Sequence, residues 1–174
     1  MTKPELERYI AQYPDFPKEG ILFRDISPML ASPEAMKIVI DILEAKIGPY
    51  MPDYFAGIES RGFLFSTLLA KIFNKGSLLI RKPGKLPGNL IEESYALEYG
   101  VNTLTIQADT PIKGKRIVII DDLLATGGTV EAAAKLLRRL GADPVATAVI
   151  IELAELKGRE NIGMPLISLL KYDA

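Results

Sequence analysis

The chain has 174 residues, 48% of them apolar, and 21 basic against 22 acidic side chains leave a formal charge of -1. That length suits a single core able to bury about 70% of the unfolded chain's surface, and the charge balance excludes a general nucleic-acid binder, which carries a basic excess. Cysteine and histidine are both absent. Disulfides, thiolate nucleophiles, cysteine-ligated zinc and His-based triads are therefore excluded, and proton transfer falls to carboxylates, tyrosine, lysine, substrate or water.

The opening MTKPELERYI lacks the long apolar core of a signal peptide, and the most apolar run, Phe63 to Phe73, falls short of the roughly 18 residues of a membrane span. A cytoplasmic protein is the expectation. Leu6, Tyr9, Ile10 and Tyr13 recur at helical spacing and predict a helix over 4–13, broken by Pro14, Pro17 and Gly20. Ser32-Pro33-Glu34 reads as an N-cap with proline at the first helical position, opening a helix that carries Met36, Val39, Ile40, Leu43 and Ile47 on one face and stops at Gly48-Pro49.

Tyr54 to Ile58 is a short apolar strand, and Glu59-Ser60-Arg61-Gly62 delivers the chain into a helix running to about Phe73. Ser77 to Ile80 is the returning strand. The basic, breaker-rich stretch 81–88, RKPGKLPG, cannot be regular structure. Tyr95 to Tyr99 and Thr103 to Gln107 predict a hairpin turning around Gly100-Val101-Asn102, a candidate mobile arm. Lys115 to Ile120 is the β-branched run of a strand buried on both faces. A helix after Gly127-Gly128 carries Val130, Ala133, Ala134, Leu137 and Leu140, and strands follow at Pro144 to Ile151 and Leu166 to Leu170. The alternation predicts one α/β domain over 1–174 with a mostly parallel central sheet flanked by helices.

In such sheets ligands gather beyond the carboxyl ends of the strands, where Asp121-Asp122 falls in an acidic turn after the best strand. Two adjacent carboxylates repel unless donors offset them, and a ribose diol offers donors to both. Ala125-Thr126-Gly127-Gly128-Thr129 follows at a helix start, where glycine lets backbone N–H groups converge and the helix dipole favours a phosphate. Taken separately, each half reads equally well as a solvated turn or a plain cap; joined directly after a buried strand, they point to a ribose 5-phosphate site. Neither a P-loop nor a GxGxxG turn is present.

Several stretches together resemble the type I phosphoribosyltransferases, and among them the adenine-using branch. They are Gly20 to Ile26 (GILFRDI), Glu59 to Phe63 (ESRGF), Arg81 to Pro87 (RKPGKLP), Leu97-Glu98-Tyr99-Gly100, residues 117–129, and Glu152-Leu153. The likeness spans nearly the whole chain. It implies transfer of the phosphoribosyl group of 5-phosphoribosyl 1-diphosphate to N9 of adenine, giving AMP and diphosphate in purine salvage. It implies a small hood from about residues 1–30 over the base site, and a homodimer.

Carried over residue by residue, the resemblance gives Asp121, Asp122 and Ala125 to Thr129 the ribose 5-phosphate. Glu59, Ser60 and Arg61, around a non-proline cis peptide, hold the diphosphate with Arg81, Lys82 and Lys85. Leu22, Phe23 and Arg24 read the adenine edge through their backbone, and Leu153 packs on the ring. Glu98 exchanges a proton with the purine, and Tyr99 packs near the reacting centre. Mg²⁺ is expected on the diphosphate and ribose oxygens of the substrate, with no protein ligand assigned.

From the residues alone, Arg61 is as much a helix-start surface residue, the basic loop a solvated turn, Leu22, Phe23 and Leu153 core, and Glu98 an exposed hairpin carboxylate. Ser66 departs from the glycine of the family at that position, with altered packing and retained activity as the expectation. A sensor of phosphoribosyl diphosphate on the same fold is the alternative of another class. It would need an effector surface or a DNA-binding module, for which the sequence offers neither room nor basic excess.

Overall fold

The computed structural model describes residues 3–97 and 100–173. Its centre is a five-stranded, all-parallel sheet in the order β4 (Gly76–Ile80), β3 (Tyr54–Ile58), β7 (Arg116–Leu124), β8 (Asp143–Leu153), β9 (Leu166–Tyr172). The remaining strands are β1 (Ala11–Pro14) paired with β2 (Leu22–Asp25), and β5 (Leu90–Leu97) paired with β6 (Gly100–Gln107), both antiparallel. The helices are α1 (Lys3–Glu7), α2 (Ser27–Ala31), α3 (Pro33–Ile47), α4 (Gly62–Phe73) and α5 (Gly128–Arg139).

The sheet divides two cores. On one side Val118, Ile120, Ala148 and Ile150 meet Val39, Leu43 and Ile47 of α3 and Phe65 and Leu69 of α4. On the other, Ile117 and Ile119 meet Val130, Ala133, Ala134 and Leu137 of α5 together with Leu104 and Ile106 of the β5–β6 hairpin. A strand apolar on both faces is what a parallel sheet covered on both sides demands, and β7 is the middle strand as expected. The α3 cap also forms as read, with the Ser32 hydroxyl accepting from the Ala35 N–H at 3.2 Å.

Four elements differ from the sequence reading. The first helix ends at Glu7, and residues 11–14 form β1. Leu6 and Ile10 reach the core, whereas Tyr13 is exposed; the helical period therefore holds only to Ile10, and pairing with β2 satisfies the backbone beyond it. The short helix α2 was not anticipated. Gly100 to Asn102 belong to β6, with Gly100 paired to Leu97, so residues 98 and 99, outside the described residues, separate the two strands. Finally, Asp121 and Asp122 form no turn: β7 continues through them to Leu124 while pairing with β8.

Candidate active site

The carboxyl ends of all five parallel strands carry segments that converge on one rim. β3 ends in Glu59-Ser60-Arg61, β4 in the basic loop from Arg81, β7 in the 121–129 stretch, β8 in Leu153 and the turn to Asn161, and β9 in Tyr172 and Asp173. Gly57 stands opposite Ile120 in the register, which places residues 59–61 beside Asp121-Asp122.

The Glu59–Ser60 peptide is cis. The Glu59 carboxylate accepts from the Lys82 N–H at 2.9 Å and from Arg81 Nε at 3.2 Å. Burial favours its neutral form, but the Lys82 N–H and the Arg81 and Lys85 charges outweigh this and hold its pKa below the ordinary 4.5. Arg81 also donates to the Lys85 carbonyl at 3.3 Å and lies over the Phe63 ring. The basic loop is thus tied down at Arg81, while Lys82 and Lys85 stay exposed.

Arg61 joins two of the predicted elements. Its Nε sits 2.6 Å from Asp122 Oδ2, and its guanidinium lies 5.7 Å from the centre of the Phe23 ring. Both aspartates are buried. Asp121 accepts the Asp122 N–H at 2.9 Å; burial, then the neighbouring Asp122 charge, push its carboxyl well above the ordinary carboxylate range. Together they offer an acceptor and a group readily kept protonated, a pair suited to a diol.

The 125–129 stretch turns on Gly127, whose φ of +89° favours glycine. It is held by residues the sequence reading did not assign. Asn161 Nδ2 donates to the Thr126 carbonyl at 2.9 Å, and the Thr129 hydroxyl donates to the Tyr95 hydroxyl at 3.0 Å. Gly127 and Gly158 pack backbone to backbone. The turn carrying Gly158 and Asn161 is itself anchored on buried Glu152, which accepts from Arg159 Nε at 2.9 Å and Nη2 at 2.6 Å and also from the Ser168 hydroxyl. A Lys-Gly after the β8 strand was the only sequence signal of a tight turn there.

On the side of β1–β2, Tyr13, Pro14, Asp15, Phe16, Phe23 and Asp25 line a recess, with Phe16 and Phe23 edge to face at 5.1 Å. Leu22 is exposed, and Phe23 and Arg24 are half-buried. Arg24 donates to the Asp173 carbonyl at 2.7 Å and covers the Tyr172 ring at 4.6 Å, which fastens the loop to the end of β9. Leu153 is half-buried and opposite Tyr172 in the register. Glu98 and Tyr99 lie outside the described residues. No cluster of three carboxylates able to hold a metal occurs among the described residues, and none of their helices is long and apolar enough to cross a membrane.

A family model described as the phosphoribosyl transferase domain matches residues 26–171. Adenine phosphoribosyltransferase of Gluconobacter oxydans is 52% identical over 169 residues, covering 97% of this chain and 94% of that protein. The crystal structure of adenine phosphoribosyltransferase from Thermoanaerobacter pseudethanolicus superposes with a TM-score of 0.95 at 42% identity, covering 98% of this chain and all of that one. The enzyme from Saccharomyces cerevisiae, solved with adenine and an imino-altritol bisphosphate, superposes with a TM-score of 0.90 at 39% identity over 97% of this chain and 98% of that one.

Proposed function

The chain belongs to the phosphoribosyl transferase family and, within it, to the adenine phosphoribosyltransferases; from that premise we propose how its residues divide the work of making AMP and diphosphate from adenine and 5-phosphoribosyl 1-diphosphate. The observation that carries the assignment is Arg61, which touches both Asp122 and Phe23 and so brings the ribose, diphosphate and base segments to one point.

Residues 125–129 take the 5-phosphate on converging N–H groups, and Asp121 and Asp122 take the ribose hydroxyls. The 60–61 amides and Arg61 meet the diphosphate, with Arg81, Lys82 and Lys85 supplying positive charge. The Glu59 side chain acts through that loop, because its carboxylate already holds Arg81 and Lys82 and would repel a phosphate directly.

Within the proposed hood over the base, the backbone of 22–24 reads the purine. A C=O accepting from the 6-amino group and an N–H donating to N1 select adenine over 6-oxopurines, which present the reverse pattern. Leu153 packs on the ring. Adenine N9 then forms its bond to C1′ as the bond to the diphosphate oxygen breaks, and the purine proton passes to Glu98, with Tyr99 packed at the reacting centre. In a chain without histidine, a carboxylate is the natural proton-exchange group.

Mg²⁺ would be held through oxygens of the substrate with no protein ligand assigned, which fits a rim where no cluster of three carboxylates occurs among the described residues. When bound, it neutralises charge on the leaving diphosphate. The cytoplasm is the fitting compartment, since a substrate this highly charged does not cross membranes unaided.

The functional unit in this proposal is a homodimer. Leu64, Leu68 and Ile72 of α4 are exposed at 45%, 42% and 42%, and Leu79 of the edge strand β4 is exposed beside them. An apolar patch of this kind, directly after Arg61, suits burial against a second copy.

The test offers adenine, guanine, hypoxanthine, xanthine and orotate separately with phosphoribosyl diphosphate and Mg²⁺. Nucleotide from adenine alone is expected. Turnover of a different base would overturn the pocket, and tight binding without turnover would favour the sensor.

A further inference from the structure

The phosphate stretch does not hold its own shape. Residues 125–129 make one turn around Gly127, and the loop's outer side rests on a second turn, 157–161, at the end of β8. Contact between the two is backbone to backbone. A Cβ on Gly158 would stand 2.1 Å from the Ala125 carbonyl oxygen and 3.0 Å from the Gly127 nitrogen, and a Cβ on Gly127 would stand 2.6 Å from the Gly158 carbonyl oxygen. Asn161 adds the hydrogen bond to the Thr126 carbonyl at 2.9 Å. Behind this face, Arg159 grips buried Glu152 with two donors and reaches the Leu166 carbonyl at 3.2 Å and the Ser168 hydroxyl at 3.2 Å.

We infer that the 157–161 turn is a brace that sets the shape of the phosphate-binding stretch, with Gly158 and Asn161 as positioning residues acting through the backbone of Ala125 to Gly127 and Arg159 fixing the brace to the sheet. The inference rests on the assignment of the 5-phosphate to residues 125–129. N–H groups converge on an anion only while successive peptides keep their tilt, and a loop of five residues with two glycines has little stiffness of its own. Hydrogen bonding of the Thr126 carbonyl to Asn161 turns that carbonyl outward, leaving the N–H of the same peptide, on Gly127, to face the opposite way. A displacement of the Ala125 carbonyl by about 1 Å is enough to disperse such donors, and misplacement on this scale costs up to about 100-fold in rate or binding.

The brace leads back to Leu153 within a few residues, so one segment serves both the ribose-phosphate and the base sides of the rim. Its effect on the phosphate side is separable because the close contacts of Gly158 and the hydrogen bond of Asn161 fall on the 125–127 backbone.

The experiment titrates ribose 5-phosphate by calorimetry and measures KM for phosphoribosyl diphosphate and for adenine in the full chain carrying Gly158→Ala, Asn161→Ala, Asn161→Asp or Thr129→Val. Thr129→Val tests the phosphate assignment without touching the brace, because it removes a hydroxyl of the binding stretch itself, together with that hydroxyl's bond to Tyr95. We expect Asn161→Ala to weaken ribose 5-phosphate about threefold and Asn161→Asp about tenfold, since the isosteric carboxylate loses the donor and faces a carbonyl. Gly158→Ala should weaken it tenfold or more. KM for phosphoribosyl diphosphate should rise in step while KM for adenine stays within about twofold.

Asn161 is exposed, so its variants keep the melting temperature and decide the matter even if Gly158→Ala fails to fold. If Thr129→Val weakens ribose 5-phosphate but both Asn161 variants bind it like the parent, the brace is refuted. Loss of kcat with unchanged KM values would also refute it, as that is the mark of general damage. If the parent chain does not bind ribose 5-phosphate, the phosphate assignment falls and the brace with it.

Discussion

Asp122→Asn changes one atom's identity at the meeting point of three segments, and the structure separates its effects on binding and on stability. In the parent, Asp122 is buried and its Oδ2 holds Arg61 Nε at 2.6 Å. The Arg61 side chain is 41% exposed, so water can solvate it once the partner is gone. The stability cost should therefore stay near that of a partly screened pair, about 1 kcal/mol or less, which in a chain of this size lowers Tm by roughly 2–4 °C. Binding is different. A carboxylate that accepts from a ribose hydroxyl makes a charged hydrogen bond whose loss costs roughly 1.5–3 kcal/mol, or about 10- to 150-fold in Kd. Arg61, released from Asp122, is also free to leave the Phe23 ring, which adds to the loss. Calorimetric titration with phosphoribosyl diphosphate, paired with a thermal melt of the same preparation, reads both numbers. An unchanged Kd would refute the placement of the ribose at this pair; a Tm drop beyond about 10 °C would show that the ion pair is chiefly structural.

Glu98→Gln should lower kcat by about 10² to 10⁴ while changing adenine affinity little, because proton exchange is made in the transition state; wild-type single turnover would remove Glu98 from the mechanism. Glu152 gives a pH signature. Burial favours its neutral form, but bonds from Arg159 and Ser168 and the Arg159 and Lys171 charges outweigh this and lower its pKa from 4.5. A lowered folded-state pKa contributes stability that is full above the unfolded value and lost as pH falls through the folded one. Glu152→Gln should thus be less stable than the parent at neutral pH, with the gap narrowing below pH 4.5; a gap that is constant from pH 7 to 3 would contradict the assignment. Ser66 is fully buried and bonds to the Ser77 hydroxyl at 3.0 Å and the Phe63 carbonyl at 3.3 Å. Ser66→Ala should cost about 1 kcal/mol in denaturant titration with KM values unchanged, and a shift in KM would place Ser66 within reach of the diphosphate clamp.

Much of the frame was legible because it is local. Residues 54–73 and 116–139 announce strand, turn and helix by periodicity and breakers, and Ser32-Pro33 caps α3 as read. The failures lie where long-range pairing overrides a local signal. Tyr13 continues a helical spacing that pairing with Phe23 across β1–β2 cancels. Asp121-Asp122 looks like a turn, yet β8 pairs alongside through Val149 to Glu152 and extends the strand. The partners of the candidate site were illegible for the same reason. Nothing near Arg61 in sequence names Asp122, and Tyr95 and Asn161 stand 34 and 35 residues from the groups they bind. The residues proposed to carry the chemistry are named from sequence, whereas what holds them in place required the fold.

The bond from Arg24 to the carbonyl of Asp173 spans 149 residues, and it bears on the order in which the molecule is completed. At roughly 5–20 residues per second, synthesis of that interval takes about 7–30 s. During that time the loop around Leu22 to Arg24 is paired with β1 but lacks its anchor on Tyr172 and Asp173, which do not yet exist. The strand and helix from 116 to 139 also wait, because β7 makes its most extensive pairing with β8, which follows it in the chain. Both sides of the site therefore wait on the same late stretch of chain: the phosphate side on the 157–161 turn, and the base-side loop on Tyr172 and Asp173.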